Sequence, residues 1–128
     1  MSSLLLDTHA VIWLLDDDRR LGPIARSQIA DDDTDVLVSV ASVWEMAIKR
    51  NLGRLSVPDN FWEMAVASGV RFINIEQADA QLAGSLPLHH RDPFDRMLIG
   101  QAINRGLRLV TTDRQFSAYE CLRMRADE

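Results

Sequence analysis

The stretch LLLDTHAVIWLL, Leu4 to Leu15, passes from three leucines through Asp-Thr-His into a second apolar run. Leu4 to Leu6 predict a short strand buried on both faces and ending at Asp7, the pattern of a strand inside a parallel sheet. Ala10 to Leu15 predict a helix closed by the acidic run Asp16 to Asp18. That run and Asp31 to Asp33 read as solvated loops or caps.

The rest of the chain repeats the alternation. Ile24 to Ala30 predict a helix, and Val36 to Val38 a second buried strand. Ser39 leads into a helix from Ala41 to Asn51, with Gly53 as its stop. Pro58 and Asp59 are expected to open a helix through Ser68, followed by a strand from Val70 to Ile75 and a short helix from Ala78 to Ser85. Asp92 suits a helix cap and Pro93 the first helical position, so a helix should run from there to near Gly106. Leu107 to Thr111 then form a fourth strand reaching Asp113. No internal repeat or linker divides the sequence, and 128 residues suit one domain, 1–128. The expectation is an α/β fold with a mainly parallel sheet flanked by helices on both faces. Ligands of such sheets bind beyond the carboxyl ends of the strands, where Asp7, Ser39 and Asp113 lie.

Two helical carboxylates stand out beside them. Glu45 shares a stripe with Ala41, Ile48 and Leu52, and Asp95 shares a face with Leu98, Ile99 and Ala102. A carboxylate on an apolar face costs several kcal/mol, in rough terms, unless it is paired, hydrogen-bonded or metal-bound. Taken singly, each acid has an ordinary use: Asp95 in a capping box with Asp92, Glu45 paired with Lys49, Asp7 and Asp113 as caps or turn formers. Together the four converge on one crevice without an obvious set of basic partners. Hard divalent cations such as Mg²⁺ or Mn²⁺ relieve that repulsion, and such ions support in-line displacement at phosphate.

The balance of apolar and charged residues is that of an ordinary globular protein. A net charge of −5 argues against a protein that coats nucleic acid non-specifically. From Arg91 onward, however, seven arginines face six acids, against seven basic and thirteen acidic residues before it. An Arg-bearing end can hold a phosphate chain locally. The apolar runs are too short to span a bilayer, and no basic-then-apolar leader pattern is seen, so the cytoplasm is expected. Cys121 has no cysteine partner and reads as a small buried hydrophobe.

The stretches LLLDTHAVIWLL from Leu4, SVASVWEMAIKRNLGRL from Ser39 and HRDPFDRMLIGQAINRGLRLVTTD from His90, followed by Phe116, together resemble the PIN-domain family and within it the VapC-type toxin ribonucleases. The resemblance implies an acidic quartet of Asp7, Glu45, Asp95 and Asp113 coordinating Mg²⁺ or Mn²⁺, with Asp7 and Asp95 the firmest ligands. Ser39 and Thr111 become hydrogen-bonding supports, and Asp92 a helix cap. The implied activity is endonucleolytic hydrolysis of RNA by metal-activated water, leaving a 5′-phosphate and a 3′-hydroxyl. The implied setting is a type II toxin–antitoxin pair, with a homodimeric toxin and a cognate antitoxin that places an Arg or Lys at the acidic site.

Other residues admit two readings. Arg91, Arg96 and Arg114 are candidates for holding RNA phosphate, or else surface charges and salt-bridge partners. His9, His89 and His90 read chiefly as surface or hydrogen-bonding residues, with a catalytic part as the alternative. Trp13, Trp44 and Trp62 read chiefly as core, with base stacking or an interface as the alternative. The helix bearing Phe61, Trp62 and Ala65 offers either a docking wall for the antitoxin or a face of the toxin's own core. A haloacid-dehalogenase-like phosphatase needs a second Asp two positions after the first, where His9 stands. A phospho-receiver or catalytically silent interaction domain is the remaining rival.

Overall fold

Strand β1 (Ser2–Leu6) lies at the centre of the sheet in a computed structural model describing residues 2–119 and 121–128. It is followed by α1 (Thr8–Leu15), α2 (Pro23–Ala30), β2 (Thr34–Ser39), α3 (Val40–Asn51), α4 (Phe61–Ala67) and β3 (Arg71–Ile73). The second half holds α5 (Gln77–Ser85), α6 (Pro93–Arg105), β4 (Arg108–Thr111), a 3₁₀ turn (Arg114–Ala118) and β5 (Leu122–Arg125). All four strand pairings are parallel, in the order β3-β2-β1-β4-β5.

The leucine triplet works as its pattern predicts. Leu4 and Leu6 join the core on one face of the sheet with Val38, Val110, Trp13, Phe61 and Ala65, while Leu5 joins Leu98, Ile99, Leu109 and Phe116 on the other. Leu4, Leu5 and Leu6 are all fully buried, and burying each side chain stabilises the fold by about 1.5–3 kcal/mol. Helix α6 starts on Pro93 with Asp92 at its cap and ends at Gly106, whose φ of 66° is a left-handed conformation that costs glycine little.

Several expectations are corrected. A fifth strand, Leu122–Arg125, pairs with β4; its sequence LRMR has no continuous apolar run because an edge strand exposes most of its side chains. Helix α4 begins at Phe61, not at Pro58, with Asn60 at its cap. Asp59 is ion-paired with Arg50 and so does not cap the helix, while the Pro58 carbonyl closes a tight turn onto the Phe61 N–H. Strand β3 is shorter than Val70 to Ile75. Trp13 is buried and Trp62 half-buried, but Trp44 is 63% exposed and packs edge-on against Phe94. Cys121 is only half-buried. Among the described residues no helix is long and apolar enough to cross a membrane.

Candidate active site

The chain moves from β1 outward to β2 and β3, then returns to the other side of β1 for β4 and β5. The carboxyl ends of β1 and β4 therefore flank the point where the strand order reverses, the place where open α/β sheets form a crevice. Asp7 follows β1, and Asp113 lies two residues after β4.

Three of the four acids are fixed at the start of a helix or turn. Asp7 caps α1, its Oδ1 accepting the Ala10 N–H at 2.8 Å, while its own N–H donates to the Val110 carbonyl at 3.1 Å. Asp113 caps the 3₁₀ turn through the Gln115 N–H at 2.9 Å. Asp95 lies in the first turn of α6, where Asp92 Oδ1 accepts the N–H groups of Phe94 and Asp95. Glu45 enters from the middle of α3. The stripe that marked it is not a core stripe throughout, since Ala41 is buried whereas Ile48 and Leu52 are exposed.

A cavity of about 220 Å³ is lined by Asp7, Thr8, His9, Glu45, Lys49, Asp92, Asp95, Thr112 and Asp113. All four acids of the proposed quartet are among them. Two partners are also present: Lys49 pairs with Glu45, as the i,i+4 spacing allows, and His90, which the sequence does not place here, meets two of the acids. Lys49 Nζ donates to Glu45 Oε2 at 2.7 Å, and Thr8 Oγ1 donates to Glu45 Oε1 at 2.6 Å. His90 Nε2 lies 2.9 Å from Asp113 Oδ2 and 3.0 Å from Asp95 Oδ2.

Electrostatics carry the mark of crowded, buried carboxylates. Burial pushes the Asp7 carboxyl above its ordinary range, against hydrogen bonds from Thr111 and the Ala10 backbone. Asp95 is pushed up to about 7, first by burial and then by the charge of Asp92, with Glu45 and Asp7 adding and His90 opposing. Carboxylates in this state bind a proton readily and give it up to a cation.

The supporting residues divide. Thr111 is buried at the end of β4, hydrogen-bonds to Asp7 and accepts the Asp113 N–H at 3.1 Å, so it serves two acids at once. Ser39 is fully buried and caps α3 through the Ala41 N–H, acting on Glu45 only through the helix it starts. Arg96 is turned away from the cleft, its guanidinium donating to carbonyls of Ala83, Leu86, Pro87 and His90. Arg91 is exposed. Arg114 lines a second hollow of about 220 Å³ with Arg123 and Arg125, which shares Thr112 and Asp113 with the acidic cleft. His9 lines the cleft, whereas His89 is exposed and packs on Tyr119. Sequence does not mark Thr8, Lys49 and Thr112 as cleft residues; Thr8 leaves a trace in standing directly after Asp7, and Lys49 in its i,i+4 spacing from Glu45.

A parallel sheet with acids gathered at its switch point is an α/β fold with a candidate metal site, and the chain belongs to the PIN-domain family, whose model matches residues 4–120. It is 32% identical over 122 residues, 93% of each chain, to Ribonuclease VapC22 of Mycobacterium tuberculosis (strain ATCC 25618 / H37Rv). Its fold is similar to a chain in the crystal structure of VapBC2 from Rickettsia felis bound to a DNA fragment from their promoter, with TM-score 0.74 and 13% identity, covering 98% of this chain and 99% of that one. It is also similar to a chain of the DNA-bound VapBC structure from Salmonella typhimurium, with TM-score 0.70 and 19% identity over 96% of both.

The residues present fit a divalent cation. Asp7, Glu45, Asp95 and Asp113 offer hard oxygen donors around one small cavity, and burial leaves Asp7 and Asp95 short of compensating charge. Oxygen-only sets of this kind suit Mg²⁺ and Mn²⁺.

Proposed function

We propose that this protein is a divalent-metal-dependent endoribonuclease and the toxin half of a type II toxin–antitoxin pair, working in the cytoplasm as a single domain spanning residues 1–128. The observation that carries this reading is the convergence of Asp7, Glu45, Asp95 and Asp113 on one cavity at the β1/β4 switch point. Its 32% identity to a ribonuclease over most of both chains supports RNA as the substrate. Mg²⁺ or Mn²⁺ is the expected cofactor, held by the quartet with Asp7 and Asp95 as the firmest ligands. When bound, the cation activates water and stabilises the charge that builds on the phosphate.

The chain's own residues do the rest. Thr8 and Lys49 take one oxygen each of Glu45, which fixes the carboxylate's orientation toward the cleft. Asp95, raised to about 7 by burial and neighbouring charge in the metal-free cleft, gives up its proton as its carboxylate binds the cation. Arg114 and Arg123, in the hollow next to Asp113, are placed to pair with RNA phosphate and draw the substrate across the cleft. Arg96 is committed to backbone carbonyls and has no such part.

The antitoxin is expected to bring an Arg or Lys to the acidic cleft, supplying positive charge in place of the cation. Its apolar contacts fall on α3 and α4, although Phe61 and Ala65 are buried in the protein's own core and cannot form the wall. Val66 and Phe72 remain open there beside the half-buried Trp62, next to a hollow of about 460 Å³ lined by Met46, Val57 and Trp62. A homodimer is expected as well.

The rival readings find less support. A receiver domain has the strand order 2-1-3-4-5, whereas this sheet runs 3-2-1-4-5. The phosphatase reading lacks its second Asp, because His9 holds that position. The test is cleavage of a mixed RNA pool by the purified protein with Mg²⁺ or Mn²⁺, with and without the protein encoded beside it. RNA left intact under both metals rejects the assignment.

A further inference from the structure

His90 stands on the segment between α5 and α6 and is 8% exposed. Its Nε2 faces Asp113 Oδ2 at 2.9 Å and Asp95 Oδ2 at 3.0 Å, and the three side chains offer atoms within 4.8 Å of one another. By proximity alone they form a possible mixed nitrogen and oxygen ligand set for a cation. The other side of the ring argues differently. His90 Nδ1 accepts the backbone N–H of Asp92 at 3.2 Å. A peptide N–H can only donate, so Nδ1 keeps its lone pair and the N–H of the ring sits on Nε2. A histidine that binds metal through one nitrogen donates from the other to a carboxylate or carbonyl. Here that other nitrogen meets a donor.

We propose that His90 is a positioning residue of the acidic cleft: a tautomer-locked N–H donor that holds Asp113, with Asp95 alongside, in the geometry the cation needs, and not itself a ligand. The inference rests on the reading of the cleft as a divalent-cation site. The rest of the residue is built to hold the ring still. The His90 N–H donates to the Tyr119 hydroxyl at 2.8 Å, and that hydroxyl donates to the Pro87 carbonyl at 2.7 Å. Arg96 holds the His90 carbonyl at 3.2 Å together with the carbonyls of Ala83, Leu86 and Pro87. The ring packs against the buried Phe116, with centroids 5.4 Å apart. Asp113 is then gripped at both oxygens, Oδ1 by the Gln115 N–H and Oδ2 by the imidazole, and the end of β4 is tied to the start of α6. This also explains Arg96, which shapes the segment that presents His90 and does not itself face the cleft.

The experiment uses the full chain and Mn²⁺ as the probe. Pulsed electron paramagnetic resonance on bound Mn²⁺ should show no directly coordinated ¹⁴N in the wild type. His90→Leu keeps the bulk but removes the donor, and should weaken Mn²⁺ binding by about tenfold or more, the usual effect of losing such a partner. His90→Gln presents an amide N–H at a similar reach and should recover most of that loss. Circular dichroism verifies folding of both variants; if His90→Leu does not fold, the resonance spectrum and His90→Gln decide. A ¹⁴N coupling in the wild type that disappears in His90→Gln makes His90 a ligand and overturns the proposal. So does equal loss of Mn²⁺ affinity in both folded variants, or no loss in His90→Leu. Asp7→Asn separates the two levels of the argument, because unchanged Mn²⁺ binding there removes the cation site itself, and the inference with it.

Discussion

The hydroxyl of Thr8, the residue after Asp7, donates to Glu45 Oε1 at 2.6 Å across 37 positions of sequence. It joins the end of β1 to the middle of α3 and so binds two of the four acids into one unit. Ser42 Oγ lies 3.1 Å from the same Thr8 oxygen, and Thr8 is buried. Thr8→Val keeps the shape and removes the donor. Cleavage should fall about tenfold, equivalent to about 1.4 kcal/mol of transition-state stabilisation, while Thr8→Ser should retain most of it. Steady-state kinetics on an RNA substrate at saturating Mn²⁺ provides the check, and equal rates for Thr8→Val and wild type would remove Thr8 from the site.

Two carboxylates pull the pH dependence of stability in opposite directions. Asp95 is raised from 3.8 to about 7, so the metal-free folded state binds a proton that the unfolded chain has already released, and stability falls as pH rises through that interval. Asp79 is the reverse. Burial alone would raise it, but hydrogen bonds from Arg105, the Glu76 backbone and Asn104 hold it at about 2, so its contribution is present above 3.8 and is lost as pH falls toward 2. Metal-free protein should therefore melt highest near about pH 4 to 5. A cation displaces the Asp95 proton, so saturating Mn²⁺ should raise the melting temperature more at pH 8 than at pH 5. At a hundredfold excess over Kd the gain is about 2.7 kcal/mol. Equal increments at both pH values in a thermal-shift series would contradict a cation at Asp95.

Arginines in the last third of the chain should separate by what their guanidinium groups touch. Arg96→Ala abandons a cluster of backbone carbonyls and should cost about 2–4 kcal/mol of stability. Arg114→Ala with Arg123→Ala should leave stability within about 0.5 kcal/mol. The same pair should raise KM for RNA severalfold and flatten its salt dependence. Chemical denaturation and KM measured at two salt concentrations test both statements. A normal KM in the double variant would place the RNA phosphate elsewhere.

Much of this molecule is legible in its sequence because the same residues serve two purposes. Asp7 and Asp113 read as caps, and they are caps, each giving one carboxylate oxygen to a backbone N–H, while Asp113 Oδ2 meets His90 inside the cleft. The leucine triplet declares a doubly covered strand, and with it the sheet whose switch point gathers the acids. What stays hidden depends on contacts between distant segments. Nothing near His90 announces Asp113, 23 positions on, nor that the Asp92 N–H selects the ring's tautomer. Arg96 reads as a phosphate binder or a surface charge until the carbonyls of the 83–90 segment are seen around it. Strand β5 escapes because an edge strand needs little apolar surface, and Trp44 because helical spacing does not say which face a neighbouring element covers.

Asp7→Asn and Asp95→Asn test the central claim most directly, since each removes a negative charge from the cleft with little change in volume. Both variants should fold, and removal of buried repulsion should leave metal-free stability unchanged or higher. Purified protein, a defined RNA and saturating Mg²⁺ or Mn²⁺ give the measurement, with cleavage rates read beside Mn²⁺ affinity. The account predicts a loss of at least about a hundredfold in cleavage for each variant, together with weaker Mn²⁺ binding. Wild-type cleavage by a well-folded Asp7→Asn protein would contradict it.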